Sequence, residues 1–336
     1  MSQTYKLTIS ESQSGERLDK VFSSHFEGLS RSFLQKYGIF KVRTLGESGL
    51  VEKNYKTKAK QGEAWELEVQ ESFDAKLLLE PWDHPLEILQ ETDHWVAINK
   101  PIGVSVHPSA SEKNNHTIVN ALLHHYGKDN LSSSFEEVDG VVIPRLGMVH
   151  RLDKPTSGVL LVAKDNPTHA FLQEHWTQTE KTYYAVVVGN PPKKGYIEGA
   201  ITRDAYDRMK MSVSRSHKAK EAQTSFENLG SWDQISGTEY ETPENKVFSV
   251  LRVQIHTGRT HQIRVHLNSI GFPIVGDGVY GENSYPRLML HAQTLKFPDP
   301  QNPEKMIEVV APLPKEFKML GSALGFGRSG VRSQKQ

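Results

Sequence analysis

The chain of 336 residues contains no cysteine. This absence excludes disulfide bonds, thiolate metal sites and cysteine nucleophiles, and it favours a reducing compartment. The sequence also has no apolar run long enough to cross a membrane, and its first residues lack the basic and then apolar pattern of a secretion signal. We therefore expect a cytoplasmic protein that makes no contact with a membrane.

The chain carries no net charge either, because 40 lysines and arginines balance 40 aspartates and glutamates. A basic field over the whole molecule, suited to nucleic acid, is therefore excluded. The charge is nevertheless unevenly distributed, since residues 31–60 and 201–220 are rich in lysine and arginine. Local basic patches of this kind suit contact with phosphates, although a solvated surface explains either patch as well.

One polar stretch organises the chain, namely residues 148–158 with the sequence MVHRLDKPTSG. It precedes the short aliphatic run 159–163, which predicts a buried strand. The polar stretch is therefore expected to be an ordered loop at the mouth of a sheet. Asp153 is its one carboxylate, and the nearby cations Arg151 and Lys154 favour its ionised, nucleophilic form. The alternative is a turn held by a local ion pair.

Residues 150–158, HRLDKPTSG, resemble the signature loop of the RluA-type pseudouridine synthases. Three further segments resemble the same family in the same order, with the sequences NKPIGVSVHP (99–108), KTYYAVVVG (181–189) and LRVQIHTGRTHQIRVHL (251–267). The resemblance implies that Asp153 is the catalytic carboxylate, that Tyr183 lines the active site and that Arg264 pairs with Asp153. Arg151 is expected to bind a phosphate or to fill the space that an extruded base leaves.

Tyr183 belongs to a predicted strand, whose alternation places it on the same face as Ala185 and Val187. An aromatic ring at that position is able to stack on an extruded base, and its hydroxyl is able to relay a proton. A tyrosine that simply packs in the core is the alternative.

Arg264 lies near the start of a helix that the sequence predicts after Gly258, with Thr260 as its N-cap. From there it would hold Asp153 ionised and oriented through a charge-assisted hydrogen bond. A surface arginine is the alternative. The turn 276–281, GDGVYG, also matches the family, and we expect it to be structural, without catalytic chemistry.

Three histidines suggest a metal site, but their spacing of five residues places neighbours on different faces of a helix or strand. They are His256, His261 and His266, and no His-Glu-x-x-His pattern accompanies them. We therefore expect no metal. The reaction of the family moves a bond within one nucleoside and transfers nothing elsewhere, so we expect no cofactor.

Residues 1–72 resemble the αL RNA-binding module of the ribosomal protein S-four type, through the motifs RLDK at 17–20 and LSRS at 29–32. That module is a small α/β unit whose second helix, here expected from Arg31 to Tyr37, faces RNA with its basic side. The resemblance therefore implies RNA contacts by Arg31 and Lys36. Residues 44–55 depart from the compact turn of the module.

The sequence thus predicts four parts: an RNA-binding module (1–72), a linker (73–85), a catalytic domain (86–318) and a disordered basic tail (319–336). For the catalytic domain the resemblance implies an α+β fold with a mixed, mostly antiparallel sheet.

The implied activity is the isomerisation of uridine to pseudouridine in RNA, and the added module resembles synthases that modify large-subunit ribosomal RNA. We expect a monomer. Three alternatives remain: a transfer-RNA pseudouridine synthase, a non-catalytic RNA-binding or ribosome assembly factor, and a hydrolase that releases free uracil. The motifs are compatible with attack of Asp153 at C1′, attack at C6, or removal of a C2′ proton.

Overall fold

The computed structural model describes residues 2–26, 31, 34–35, 38–43, 50–70, 80–107, 116–132, 135–138, 141–144, 146–207, 209–232, 246–281 and 285–317. The α-helices within these ranges are Leu18–His25, Ile118–Tyr126, Asn166–Glu174 and Gln262–Ser269, and residues 31, 34–35 and 315–317 are also helical. The strands are β1 (Ser2–Thr8), β2 (Gly38–Arg43), β3 (Leu50–Lys53), β4 (Ala64–Gln70), β5 (Ile88–Glu91), β6 (Trp95–Lys100), β7 (Phe135–Val138), β8 (Val141–Pro144), β9 (Ser157–Ala163), β10 (Glu180–Val188), β11 (Lys194–Glu198), β12 (Ile201–Arg203), β13 (Met211–Val213), β14 (Gln223–Trp232), β15 (Phe248–Ile255), β16 (Leu290–Asp299) and β17 (Asn302–Val310).

The chain divides into two compact units, each built from separate stretches of sequence. The first comprises Met1–Pro85, Ser105–Met148 and Val162–His169, and the second comprises Leu86–Val104, Val149–Leu161 and Ala170–Gln336. The expected division into module, linker, catalytic domain and tail stays a prediction. Most of the predicted linker and the whole predicted tail lie outside the described residues. None of the helices among the described residues has the length and hydropathy of a membrane-spanning segment.

The first unit contains an antiparallel four-stranded sheet in the order β1-β4-β2-β3. Helix Leu18–His25 buries the stripe Leu18, Val21 and Phe22, and Phe22 packs edge to face against Phe40 of β2. Burying these aromatic and aliphatic side chains gives the first 70 residues a hydrophobic core of their own.

The first unit buries the charged side chain of Asp19, which is fully inaccessible. Burial raises its pKa, but hydrogen bonds from Gln35 and Arg17 and the charge of Arg31 outweigh burial, so that the pKa is lowered. Arg31 Nη2 lies 3.3 Å from the Asp19 carboxylate. Arg31 therefore has a structural partner while remaining about half exposed. Lys36 lies outside the described residues.

The second unit is built on a nine-stranded sheet in the order β11-β14-β15-β10-β16-β9-β6-β5, with β17 paired to β16. The β9–β16 pair is parallel, whereas β5–β6, β10–β15, β10–β16, β11–β14, β14–β15 and β16–β17 are antiparallel. The predicted α+β fold with a mixed, mostly antiparallel sheet is confirmed. Every residue of β9 is buried, as its aliphatic sequence predicted.

Gly158 is the residue that lets β9 and β16 approach, because it pairs directly with Ala292. Its φ is +118°, and a Cβ at this position would lie 2.1 Å from the backbone oxygen of Ala292. A side chain here would therefore collide with backbone that cannot move without breaking the strand pair.

We predict that Gly158→Ala lowers the free energy of unfolding by about 3 kcal/mol or more, because strain and a backbone clash act together. Gly271→Ala is the matched control, since Gly271 also has a positive φ (+85°) but open space around the missing Cβ. We expect about 1 kcal/mol for the control. Urea unfolding of both variants measures the difference, and equal losses would contradict the role of the close approach.

Candidate active site

The polar loop 150–156 lies between Met148 and β9, as predicted, and it is held from the side by the loop that follows β6. The backbone N–H of Gly103 donates to the Lys154 carbonyl at 2.9 Å. Within the loop, the Thr156 N–H donates to the Asp153 carbonyl at 3.0 Å. The backbone around Asp153 is thus fixed on both sides, which suits a side chain that must be presented in one orientation.

Lys100 connects the two loops through hydrogen bonds. Its side chain is fully buried, and its Nζ donates to the carbonyls of Pro101 (2.7 Å), Val104 (2.8 Å) and Lys154 (3.2 Å). Burial lowers the pKa of Lys100 to about 7, although the charge of Asp153 acts in the opposite direction. The three acceptors match the three donors of an ammonium group, so the geometry selects the charged form. The sequence showed the motif around Lys100 but not this role.

His150, the first residue of the signature loop, has a structural part in it. Its Nε2 accepts the backbone N–H of Leu161 at 2.8 Å, and its ring stacks on Trp176 at a centroid distance of 4.9 Å. Burial lowers the pKa of His150 to about 3, with a smaller contribution from the charge of Lys181. A neutral ring that accepts from β9 anchors the start of the loop.

Arg264 comes from helix Gln262–Ser269 and is only 3% exposed. Its Nη1 lies 3.3 Å from Asp153 Oδ2, so the structure brings together the two residues that the sequence paired. Its other two nitrogens form a bidentate pair with a different carboxylate: Nε lies 2.8 Å from Asp277 Oδ2, and Nη2 lies 2.8 Å from Asp277 Oδ1. One guanidinium is therefore shared between two carboxylates.

Asp277 is the residue that sequence reasoning missed. We expected the turn 276–281 to be structural, without catalytic chemistry, and did not connect it with Arg264. Asp277 is buried, and its Oδ1 also accepts the N–H groups of Val279 (3.0 Å) and Tyr280 (3.2 Å). Burial raises the pKa of Asp277, and the hydrogen bond and charge of Arg264 more than reverse this, so that the pKa is lowered. A signal existed, since an arginine on the buried face of a helix requires a second anion.

The start of helix Gln262–Ser269 also differs from the prediction. The N-cap is His261 and not Thr260, and His261 has a left-handed backbone with φ of +55°. Its side chain forms no capping hydrogen bond. The turn is fixed instead by Gln262, whose Oε1 accepts the Arg259 N–H at 3.0 Å and whose Nε2 donates to the Gln223 carbonyl at 2.9 Å. Strained backbone of this kind is concentrated at functional sites.

This strained turn places His261 beside the carboxylate, with Nε2 3.9 Å from Asp153 Oδ2. Burial is the largest influence on His261 and lowers its pKa, against a smaller upward effect of Asp153. The hydroxyl of Tyr280 accepts the Met211 N–H at 2.7 Å and lies 2.8 Å from His261 Nδ1, so its own proton is free to reach that nitrogen. A neutral ring with the proton on Nε2, directed at Asp153, satisfies these contacts.

The other two histidines of the series have structural partners. His266 contacts the Thr224 hydroxyl through Nδ1 and the Gly199 carbonyl through Nε2, both at 2.9 Å, while His256 Nε2 lies 3.2 Å from Ser225 Oγ. The described residues contain no group of three or more His, Asp or Glu side chains that could hold a metal ion.

Tyr183 lies on β10 and alternates inward as predicted, with 8% of its surface exposed. Burial, and then the charge of Asp153, raise its pKa, so the hydroxyl stays protonated at neutral pH. It lines one cavity of about 100 Å³ together with Asp153, Arg264, His261 and the exposed Arg151. A cavity of this size has room for several waters or for one small planar ring. The predicted catalytic residues thus share a single open pocket.

Comparison with known proteins places the chain in a family. Residues 94–269 match the family model described as RNA pseudouridylate synthase. The chain is 32% identical to the ribosomal large subunit pseudouridine synthase D of Zymomonas mobilis, over 94% of this chain and 96% of that protein. It is 34% identical to the protein of the same name from Salmonella typhimurium, with 96% of both chains covered. The chain belongs to the RNA pseudouridylate synthase family, and it is an RNA pseudouridine synthase of the RluA type.

Two solved structures are similar as well. Human RNA pseudouridylate synthase domain containing 1 covers 73% of this chain and 96% of its own, with 23% identity and a TM-score of 0.52, which shows the shared fold. Human RNA pseudouridylate synthase domain containing 4 matches 71% of this chain and 93% of its own, with 25% identity and a TM-score of 0.51. The chain therefore shares its fold with these two proteins.

We predict that Asp277→Asn lowers the free energy of unfolding at pH 7 by about 3–5 kcal/mol, because it leaves the buried Arg264 without its main anion. Glu308→Gln, at an exposed residue of β17, is the control and should change stability by no more than about 0.5 kcal/mol. Urea unfolding of the three proteins measures both values. A loss for Asp277→Asn no larger than that of the control would contradict the shared guanidinium.

The ion pair of Asp277 with Arg264 should also make the free energy of unfolding depend on pH. The folded pKa of Asp277 lies below its unfolded value, so its contribution is fully present above about pH 4 and is lost as the pH falls through the folded pKa. The stability gap between the parent protein and Asp277→Asn should therefore narrow as the pH is lowered below about 4. A gap that stays constant on acidification would show that the carboxylate is not held charged by Arg264.

Proposed function

We propose that this enzyme isomerises specific uridines of large-subunit ribosomal RNA to pseudouridine, with Asp153 as the catalytic carboxylate. The observation that carries the proposal is the presence of Asp153 at an open pocket, paired with a buried Arg264 and sharing the cavity with Tyr183. The choice of ribosomal RNA is supported by the names of relatives that align over nearly the whole chain.

The reaction is balanced within one nucleoside. The C1′–N1 bond breaks, the uracil turns, and C1′ bonds to C5, while C5 loses a proton and N1 gains one. Nothing is oxidised or transferred to another molecule, which is why we expect no cofactor. The target uridine must first leave its stack, at a cost of a few kcal/mol, and the cavity beside Asp153 receives it.

The residues around the cavity have distinct parts in this proposal. Arg264 pairs with Asp153 and orients its carboxylate through the contact at 3.3 Å. Tyr183 stacks on the uracil, and its protonated hydroxyl relays a proton. Arg151, exposed at the rim, contacts a phosphate or fills the vacated stack. Arg31 and Lys36 of the N-terminal module also contact RNA.

The enzyme acts, in this proposal, as a monomer in the cytoplasm. A chain without cysteine suits a reducing compartment. All three residues of the proposed catalytic set come from one chain and from one compact unit, so the site requires no second copy.

We predict that Asp153→Asn abolishes pseudouridine formation while RNA affinity stays within about tenfold of the parent protein, because the variant is isosteric and Asp153 acts on the bond and not on the RNA backbone. The assay maps pseudouridine in transcripts of large-subunit ribosomal RNA and, in parallel, of transfer RNA. Retained turnover by Asp153→Asn would remove the central assignment, and activity confined to transfer RNA would overturn the ribosomal target.

The two proposed contributions of Tyr183 can be separated. We predict that Tyr183→Phe lowers kcat by about 10²-fold with KM little changed, because it keeps the ring and loses the proton relay. Tyr183→Ala should also raise KM, because the stacking surface is lost. Tyr184→Phe, on the opposite face of β10, is the control. Normal turnover by Tyr183→Phe would show that the hydroxyl moves no proton.

A further inference from the structure

A small hairpin of the second unit packs against the helix that carries Arg264. Strands β12 and β13 pair from Ile201↔Val213 to Arg203↔Met211, and residues 214–220 return along it through the pairing of Ile201 with Lys220. We call residues 201–220 the basic hairpin. Its base packs in a small core formed by Ile201, Ala222 and Val265 of the helix that carries Arg264.

Two hydrogen bonds connect this hairpin with His261, the neighbour of the proposed catalytic carboxylate. The backbone N–H of Met211 donates to the Tyr280 hydroxyl at 2.7 Å, and that hydroxyl lies 2.8 Å from His261 Nδ1. The other nitrogen of the His261 ring is 3.9 Å from Asp153. The basic hairpin is therefore held at a fixed position beside the pocket.

The two carboxylates of the basic hairpin that the structure describes accept hydrogen bonds from backbone N–H groups of its own loop. Asp204 Oδ1 accepts the N–H groups of Tyr206 (2.9 Å) and Asp207 (3.1 Å), and these hydrogen bonds lower the pKa of Asp204. Asp207 Oδ1 accepts the N–H of Met209 at 2.9 Å, and its carboxylate lies 3.9 Å from Lys210. Both carboxylates thus accept hydrogen bonds that shape the loop.

Four cations of the basic hairpin face the solvent. Their side chains are exposed, and none of them lies within 4 Å of a carboxylate that the structure describes; they are Arg203, Arg215, Lys218 and Lys220. Exposed cations without an ion-pair partner, grouped on one element, are typical of a surface that binds a polyanion.

The loop of the basic hairpin also displays apolar side chains. Tyr206 is 100% exposed and Met209 is 76% exposed, although the hydrogen bonds to Asp204 and Asp207 order the backbone that carries them. An aromatic ring held fully in water on an ordered loop gains nothing within the fold. Such a ring, flanked by cations, is the combination that binds unpaired nucleotides by stacking and phosphate contact.

We propose that the basic hairpin binds a single-stranded stretch of the substrate RNA next to the target uridine. Tyr206 stacks on an unpaired base, and Arg203, Arg215, Lys218 and Lys220 contact phosphates. The inference rests on the proposed function, because it takes the substrate of the neighbouring pocket to be RNA. Since base stacking tolerates any base, the hairpin adds affinity and orientation, and the pocket selects the uridine.

The experiment compares RNA binding and turnover of three proteins with their controls. Tyr206→Ala tests the stack, with Tyr196→Ala as control because Tyr196 is also exposed (57%) but lies on β11. The triple variant Arg215→Ala/Lys218→Ala/Lys220→Ala tests the phosphate contacts, with Lys194→Ala/Lys305→Ala/Lys315→Ala as control for net charge.

The dissociation constant is measured over a range of salt concentrations with a fragment of large-subunit ribosomal RNA that the parent protein modifies. If no such fragment is modified, any fragment that the parent protein binds serves.

We expect Tyr206→Ala to weaken binding about tenfold. The triple variant should reduce the slope of log Kd against log salt by about two, since each lost contact to a single strand removes about 0.7. KM should rise accordingly, with a much smaller fall in the rate at saturating RNA, and both controls should stay within about twofold. Circular dichroism and thermal unfolding establish that the variants are folded.

The inference is overturned if Tyr206→Ala and the triple variant bind RNA like their controls, with unchanged salt slope. It is also overturned if the losses appear only in the rate at saturation. A parent protein that forms no pseudouridine, but whose RNA binding is lost in these variants, would overturn the proposed function and support the RNA-binding hairpin. The two proposals are therefore tested separately.

Discussion

The site depends on one buried guanidinium that is shared between two carboxylates. Arg264 is almost inaccessible, and a charge in that environment is stable only when it is paired. Asp277 occupies two of its donors with bonds of 2.8 Å each, which fixes the plane of the guanidinium. Its third nitrogen, Nη1, lies 3.3 Å from Asp153 Oδ2, so the proposed catalytic carboxylate meets a cation whose position is already set.

The surrounding structure preserves that geometry with backbone contacts. The ammonium group of Lys100 donates hydrogen bonds to three carbonyls of the two loops that frame Asp153. Gly158 lets β9 pair at close range with β16. Strain is placed at His261, whose left-handed backbone presents its ring to the carboxylate. A rigid frame with one strained residue at the site is what a preorganised active site requires.

Hydrophobic runs and strand alternation predicted those parts of the fold that depend on residues close together in the sequence. The aliphatic run 159–163 became buried β9, the alternation of β10 directed Tyr183 inward, and the family resemblance placed Asp153 beside Arg264. Sequence could not supply contacts between distant turns. A buried arginine signals the need for a second anion, but the sequence does not say which distant turn supplies it, so Asp277 was missed. The left-handed backbone of His261 was missed because such a conformation is uncommon for any single non-glycine residue. We predicted Thr260 as the N-cap because a threonine before a helix fits the usual preference, whereas the structure has His261 there.

The most direct test of the account is a map of pseudouridines in total RNA from cells that lack this protein, compared with the same cells re-expressing it. The account predicts that one or a few defined positions in large-subunit ribosomal RNA change from pseudouridine to uridine and return on re-expression. Identical maps in both cells, or changes confined to other RNAs, would contradict it.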